Sequence, residues 1–177
     1  VKKKPGVYTY ASAGAGSTTH VSALLFLKSA GLNMIHVPYR GVGPAFTDML
    51  AGTVQMLSAT PVELKPFAGS DKVKPLGISS KERSRHLPNV PTISETLPCP
   101  FVATYNGILG PKGTPQEIVD RISSAIIAAV KTDQFSGRLL NVGVEPSGTT
   151  PAQMASIIAT DKASWTAVKD DIAAAMK

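Results

Sequence analysis

Apolar and polar positions along the first sixty residues repeat one motif: a short apolar run, a glycine loop, then apolar positions at helical spacing. Residues 8–20 (YTYASAGAGSTTH) read as a strand that breaks into Ala-Gly-Ala-Gly and then Ser-Thr-Thr. Val21, Leu24, Leu25 and Lys28 follow at three-four spacing, Ser17 or Thr18 is placed as the N-cap, and Gly31 sits where a left-handed cap is wanted. Residues 32–39 (LNMIHVPY) predict a buried strand that leaves the sheet at Pro38. The loop 40–44 (RGVGP) then repeats the pattern, with Pro44 predicted to open a helix through Phe46, Met49 and Leu50 to a Gly52 cap. Residues 53–57 (TVQML) supply a third strand. This βαβαβ order predicts an α/β fold with a mostly parallel sheet, whose ligands sit outside the carboxyl ends of the strands.

Beyond Thr60, a helix is expected over 61 to about 68, closed by Gly69, with a fourth strand over 73–79. Pro88, Pro91, Pro98 and Pro100 leave room for one short helix, 92–97, before a strand over 101–109. Thr114 is predicted to cap a helix from Pro115 to about 130, with Ile118, Ile122, Ala125, Ile126 and Ala129 on one face. A shorter helix over 133–140 should close near Gly143, Val144 and Glu145 add a short strand, and 151–176 form one long helix bearing Ile157, Ile158, Trp165, Val168 and Ile172. The region after Thr114 is thus rich in helices and poor in strands. Its apolar faces need a sheet that these residues barely supply.

Composition narrows the function. The 177 residues are 43% hydrophobic, enough to build the core of one domain or two small lobes. The net charge of +6 is scattered. Only Lys2 to Lys4 and Lys81, Arg83 and Arg85 cluster, and no aromatic residues interleave with them, so no nucleic-acid partner is expected. Cys99, the single cysteine, excludes an intrachain disulfide and a cysteine-based metal site. His20, His36 and His86 share no close-spaced ligand motif, so neither metal nor cofactor is expected. No apolar run approaches the roughly 18 residues of a membrane-spanning helix. Residues 1–6 (VKKKPG) are basic without an apolar segment behind them, unlike a signal peptide, and resemble a helix end stopped by Pro-Gly; the chain is expected to begin in mid-protein.

The loop from Ser12 to Thr18 suits an anion, because glycines admit close approach and the first amides of the helix point outward with the positive dipole end behind them. It lacks the third glycine of a dinucleotide fingerprint, since Thr19 stands there, and it lacks the Gly-Lys-Ser ending of a P-loop. His20 is expected to hydrogen-bond the loop and position it, and His36 to be a satisfied core histidine. Arg40 is either a bidentate partner of an anion or a solvated charge. Ser12, Ser17, His20, His36 and Asp48 offer triad chemistry by type. No GxSxG elbow and no paired carboxylates accompany them, so an enzyme is not expected.

Six stretches carry a family resemblance: residues 8–20, 36–52 (HVPYRGVGPAFTDMLAG), 76–83 (LGISSKER), 87–92 (LPNVPT), 107–119 (GILGPKGTPQEIV) and Trp165. Together they resemble the extracytoplasmic solute receptors of tripartite tricarboxylate transporters, the Bordetella uptake gene (Bug) or TctC-like family, in its order and over nearly the whole chain. The resemblance implies a periplasmic type II binding protein with two lobes and a carboxylate-bearing solute in the cleft. Residues 7–105 would be the second lobe, and 106–177 a crossing strand and helices returning to a mostly absent first lobe, so that the chain is a C-terminal portion. It also implies a ligand carboxylate held by backbone groups and waters at two opposed loops. The one within this chain comprises Ser12, Ala13, Gly14, Ala15, Gly16, Ser17 and Thr18, with His20, Arg40 and Thr60 beside it. Implied partners are a small organic carboxylate and membrane permease subunits in the periplasm; a solute sensor for a signalling partner, and less so a hydrolase, are the alternatives. Leu24 replaces a family acid and Tyr105 a common Trp. No acid is read beside Thr60, which favours a plain carboxylate over an amine-bearing solute. Weak solute binding by the fragment alone, and self-association through its uncovered helices, are further expectations.

Overall fold

The computed structural model describes residues 1–67, 69–84, 87–99, 104–166 and 168–175. By its internal contacts the chain divides into two units, one of Val1–Thr104 with Ser164–Lys177 and the other of Tyr105–Ala163.

The first unit is built on a three-stranded parallel sheet in the order β2-β1-β3, from β1 (Thr9–Ser12), β2 (Ile35–Pro38) and β3 (Met56–Leu57). Alternation along β1 sends successive side chains to opposite faces. Tyr10 packs with Ala23 and Leu27 of α1 (Thr18–Ala30) on one face, and Ala11 with Ala45 of α2 (Val42–Leu50) on the other. The second face of α1 presents Val21 and Leu25, which Trp165 and the buried Val168 cover. Ile172 of α7 (Lys169–Ala175) packs on the same cluster, and Lys28 pairs with Asp171 at 2.6 Å.

Both of the first two helices end in Schellman geometry. At Gly31 (φ 61°) the amides of Gly31 and Leu32 reach Lys28 O and Leu27 O; at Gly52 (φ 81°) those of Gly52 and Thr53 reach Met49 O and Asp48 O. Pro44 is not the first residue of α2. The helix opens two residues earlier, with Gly41 as N-cap, and Pro44 sits third, where its missing amide would have had no intrahelical partner.

Several expected elements are shorter or absent. The third strand, expected over 53–57, is confined to Met56–Leu57, because the Gln55 side chain, not a main-chain carbonyl, accepts the Thr9 amide at 3.0 Å. The helix expected from Pro61 is α3 (Pro61–Leu64), tightening into a 3-10 turn at Lys65–Phe67; Ala68 lies outside the described residues. The strand expected over 73–79 is absent from the sheet. Pro75 has no amide to donate, and the segment instead makes one parallel bridge, with Ile78 N to Pro91 O and Ile93 N to Ile78 O. The short helix expected at 92–97 is a single 3-10 turn, Ile93–Glu95, capped by Thr92. Of the strand expected over 101–109, residues 101–103 lie outside the described residues and 104–109 are not strand.

The second unit contains α4 (Gln116–Val130), α5 (Asp133–Asn141) and most of α6 (Pro151–Thr166). Thr114 does not cap α4; its Oγ1 donates to Pro111 O at 2.8 Å and closes the preceding turn, leaving Pro115 in the cap position. Thr132 caps α5, whose end at Gly143 (φ 80°) repeats the Schellman bonds. Val144 and Glu145 form no strand. The single helix expected over 151–176 is two, α6 and α7. Val168 N closes on Trp165 O three residues back, and Met176 lies outside the described residues. None of the described residues of α4, α5 or α6 is buried, and Ile118, Ile122, Phe135 and Ile158 remain exposed. These are the faces for which the sequence supplies no sheet.

Candidate anion site at the carboxyl edge of the sheet

The loop between β1 and α1 is held in shape by its own side chains. Ser12, fully buried, donates from Oγ to Gly14 O and accepts from Gly14 N at 3.2 Å. Ala13 N donates to Thr19 Oγ1 at 2.9 Å, and Thr19 Oγ1 also lies 2.9 Å from Ser17 Oγ. Ser17 is the N-cap, accepting from His20 N and donating to Gly14 O at 2.7 Å. Gly14 (φ 127°) and Gly16 (φ 77°) lie where side-chain-bearing residues are strained.

These bonds leave the amides of Ala15, Thr18 and Thr19 without a partner among the described residues. Two of them are the opening amides of a 13-residue helix, and no acidic side chain occupies its first turn. The loop therefore presents donors and partial positive charge at the carboxyl end of the central strand, an arrangement that takes a carboxylate or phosphate oxygen.

The second glycine loop meets the first. Tyr39 N donates to Ser12 O at 3.0 Å, and a Cβ built on Gly14 would stand 3.5 Å from Tyr39 O. Arg40 follows, exposed and without a hydrogen bond or ion pair among the described residues. Tyr39 is committed elsewhere, its hydroxyl donating to Asp48 Oδ2 at 2.6 Å, which raises its pKa.

Thr60 ends the loop after β3 and forms a reciprocal capping box with Glu63: its amide and hydroxyl reach Glu63 Oε2 at 2.7 and 2.8 Å, and Glu63 N returns to Thr60 Oγ1. An acid does stand beside Thr60, which corrects the expectation that none would. That carboxylate is engaged in closing the first turn of α3.

Two residues beyond those expected join the site. Thr19 braces the loop as described. His36, expected only to fill the core, lies with its Nε2 2.7 Å from Ser12 Oγ and its ring stacked on His20 at 4.0 Å. His20 is fully buried, and its Nδ1 accepts from Gly16 N at 3.0 Å, the hydrogen bond to the loop expected of it. Burial lowers the pKa of both imidazoles; that of His36 falls to about 4, with neighbouring His20 adding to the effect. Burial and then Asp171 push Tyr10, stacked on His36, up to about 12. No group of three side chains able to hold a metal occurs among the described residues, and His86 lies outside them.

The tripartite tricarboxylate transporter family receptor (TctC) profile matches residues 1–173. Among curated relatives, the UPF0065 protein in the tcbD-tcbE intergenic region of Pseudomonas sp. (strain P51) is 33% identical over 93% of this chain and 49% of its own length. Protein BugT of Bordetella pertussis is 31% identical over 99% of this chain and 54% of its own. The chain thus spans about half the length of these relatives. Among solved structures, R. palustris Rpa4515 with adipate is 28% identical, with a TM-score of 0.76 over 97% of this chain and 58% of that one. MatC from Rhodopseudomonas palustris with bound malate is 27% identical, with a TM-score of 0.68 over 94% of this chain and 57% of that one.

Proposed function

Because the chain belongs to the tripartite tricarboxylate transporter receptor family, we propose that the whole protein captures a small organic carboxylate in the periplasm and delivers it to membrane permease subunits. The observation that carries this reading is the set of amides at Ala15, Thr18 and Thr19 that have no partner among the described residues, at a sheet edge shared with the exposed cation of Arg40. Adipate and malate in the two related structures are the class of solute such donors recognise.

In this reading Ser12, Ala13, Gly14, Ala15, Gly16, Ser17 and Thr18 form one jaw of a clamp. Ala15 and Thr18 supply amides, Ser12 and Ser17 hold the loop, His20 positions it, and Arg40 and Thr60 flank the mouth. The opposing jaw belongs to the part of the relatives' length that this chain does not match. Closing the two jaws on the solute shifts an open-closed equilibrium that the permease reads.

Ser12 and His36, 2.7 Å apart, invite comparison with a hydrolytic pair. The serine is fully buried and bonded twice to Gly14, and Asp48, the acid available by type, is engaged by Tyr39. We therefore read the pair as a brace, not a nucleophile and its base.

Titration calorimetry of the full-length protein against a panel including adipate and malate tests the proposal. Binding of at least one carboxylate is expected; if no organic anion binds more tightly than roughly millimolar, the receptor reading loses its basis.

A further inference from the structure

His20 lies in the first turn of α1 and His36 in β2, yet their rings stack at 4.0 Å between centroids and 7° between planes. Tyr10 of β1 extends the column, 4.9 Å from His36. Each imidazole holds a different point of the anion loop: His36 Nε2 lies 2.7 Å from the hydroxyl of Ser12, which is bonded to Gly14, and His20 Nδ1 accepts the amide of Gly16. The two positive-φ glycines are thus tied to two rings that touch each other.

The bonding specifies the proton. A ring nitrogen that accepts an N–H cannot carry a hydrogen, so neutral His20 holds its proton on Nε2. That atom is buried and has no partner among the described residues. A second proton on His20 would set a donor against the Gly16 donor and place a charge where no acceptor meets it.

The groups around the pair do not favour a cation. From β1 comes the neutral phenol of Tyr10, and from α7 Asp171, which acts on Tyr10 and is paired with Lys28 of α1. Ile172 of α7 adds apolar surface beside Gly16, where a built Cβ would lie 3.7 Å from its Cγ2. No carboxylate contacts either imidazole among the described residues. The lowered pKa of each ring agrees with this setting.

We propose that His20 and His36 are positioning residues of the carboxylate site, which hold Gly14 and Gly16 in the conformation that frees the Ala15 and Thr18 amides, and that the hold on Gly16 lasts only while the His20 ring is neutral. This rests on the reading of the loop as a carboxylate jaw. Protonation of His20 releases Gly16 from within, without any change in the solute.

Long-range proton-nitrogen NMR of the imidazoles in the full-length protein tests the lock directly. At neutral pH, His20 should carry its proton on Nε2 and none on Nδ1, and the Gly16 amide should exchange slowly with solvent. Acidification should shift His20 and the Gly16 amide together, below the ordinary histidine range. His20→Phe keeps a ring in the stack and removes the acceptor; it should speed Gly16 exchange at least tenfold and weaken adipate or malate binding at least tenfold, with His20→Gln recovering part of both. A proton on His20 Nδ1 in the unmodified protein overturns the proposal even if the variants fail to fold, as does unchanged Gly16 exchange in a folded His20→Phe. Should the tautomer and Gly16 behave as expected while neither adipate nor malate binds, the lock stands and the carboxylate reading is what fails.

Discussion

Gly16 of the anion loop and Ile172 of α7 face each other closely: a Cβ at position 16 would lie 3.7 Å from Ile172 Cγ2, at ordinary contact distance. Space alone would admit alanine. The backbone does not, because φ is 77° there, and a side chain in that region costs about 1–2 kcal/mol. Gly16→Ala is therefore expected to lower the denaturation midpoint by that amount and to weaken carboxylate binding by moving the Ala15 amide. A variant as stable as the parent would show that the loop relaxes to another conformation.

The segment carrying α7 is held to α1 by apolar packing more than by charge. Val168→Ala removes two buried methyl groups and should cost about 2 kcal/mol, from roughly 0.8 kcal/mol per group plus a cavity contribution. Lys28→Ala breaks an ion pair whose side chains are 52% and 41% exposed, and should cost no more than about 0.5 kcal/mol after solvent screening. Urea titrations of the two variants distinguish these outcomes, and equal losses would refute the ranking.

Acid should weaken the first unit through His36. His36 is neutral in the fold down to about pH 4 but takes up a proton near pH 6.5 when unfolded. Between those values the unfolded state binds more protons, so stability falls as pH falls from 6.5 to about 4 and this contribution levels off below. His36→Phe should flatten that stretch of the stability-pH curve. An unchanged slope would mean that another group is responsible.

Thr60→Ala should cost about 1 kcal/mol by removing the hydroxyl that caps α3 and frees its Glu63 partner. Thr60→Ser, which keeps the reciprocal bonds, should recover most of it, as thermal melts of both variants would report.

Replacing Arg40 by Gln should weaken carboxylate binding about tenfold, the scale of one lost hydrogen bond to a charged group, and reduce its salt dependence. Unaltered affinity at low and high salt would place Arg40 outside the site.

Much of the first unit was legible because local rules there agree with tertiary packing. Ser17 caps α1, Gly31 and Gly52 end their helices, and the strand-loop-helix repeat yields the parallel order around β1. The strand expected over 73–79 shows where local rules and packing part. Leu76 and Ile78 have the composition of a strand, but Pro75 withholds an amide and the segment finds its partner at 91–93 instead. In the site, His20 could be recognised from its place in the first turn of a helix behind a glycine loop. The role of His36 could not, because it depends on register: pairing Tyr10 with His36 across β1 and β2 is what brings that imidazole beneath Ser12. The periodic sequence of β2 shows an apolar strand, not which strand it will lie beside.

The covering of Val21 and Leu25 by Val168 has a consequence for synthesis. Those two side chains leave the ribosome on the order of 150 residues before the one that buries them. At roughly 5–20 residues per second, the nascent sheet spends about 7 to 30 seconds with one helix face uncovered. Vectorial folding cannot finish this unit early, so the interval before α7 arrives is when a holding chaperone would have its binding site.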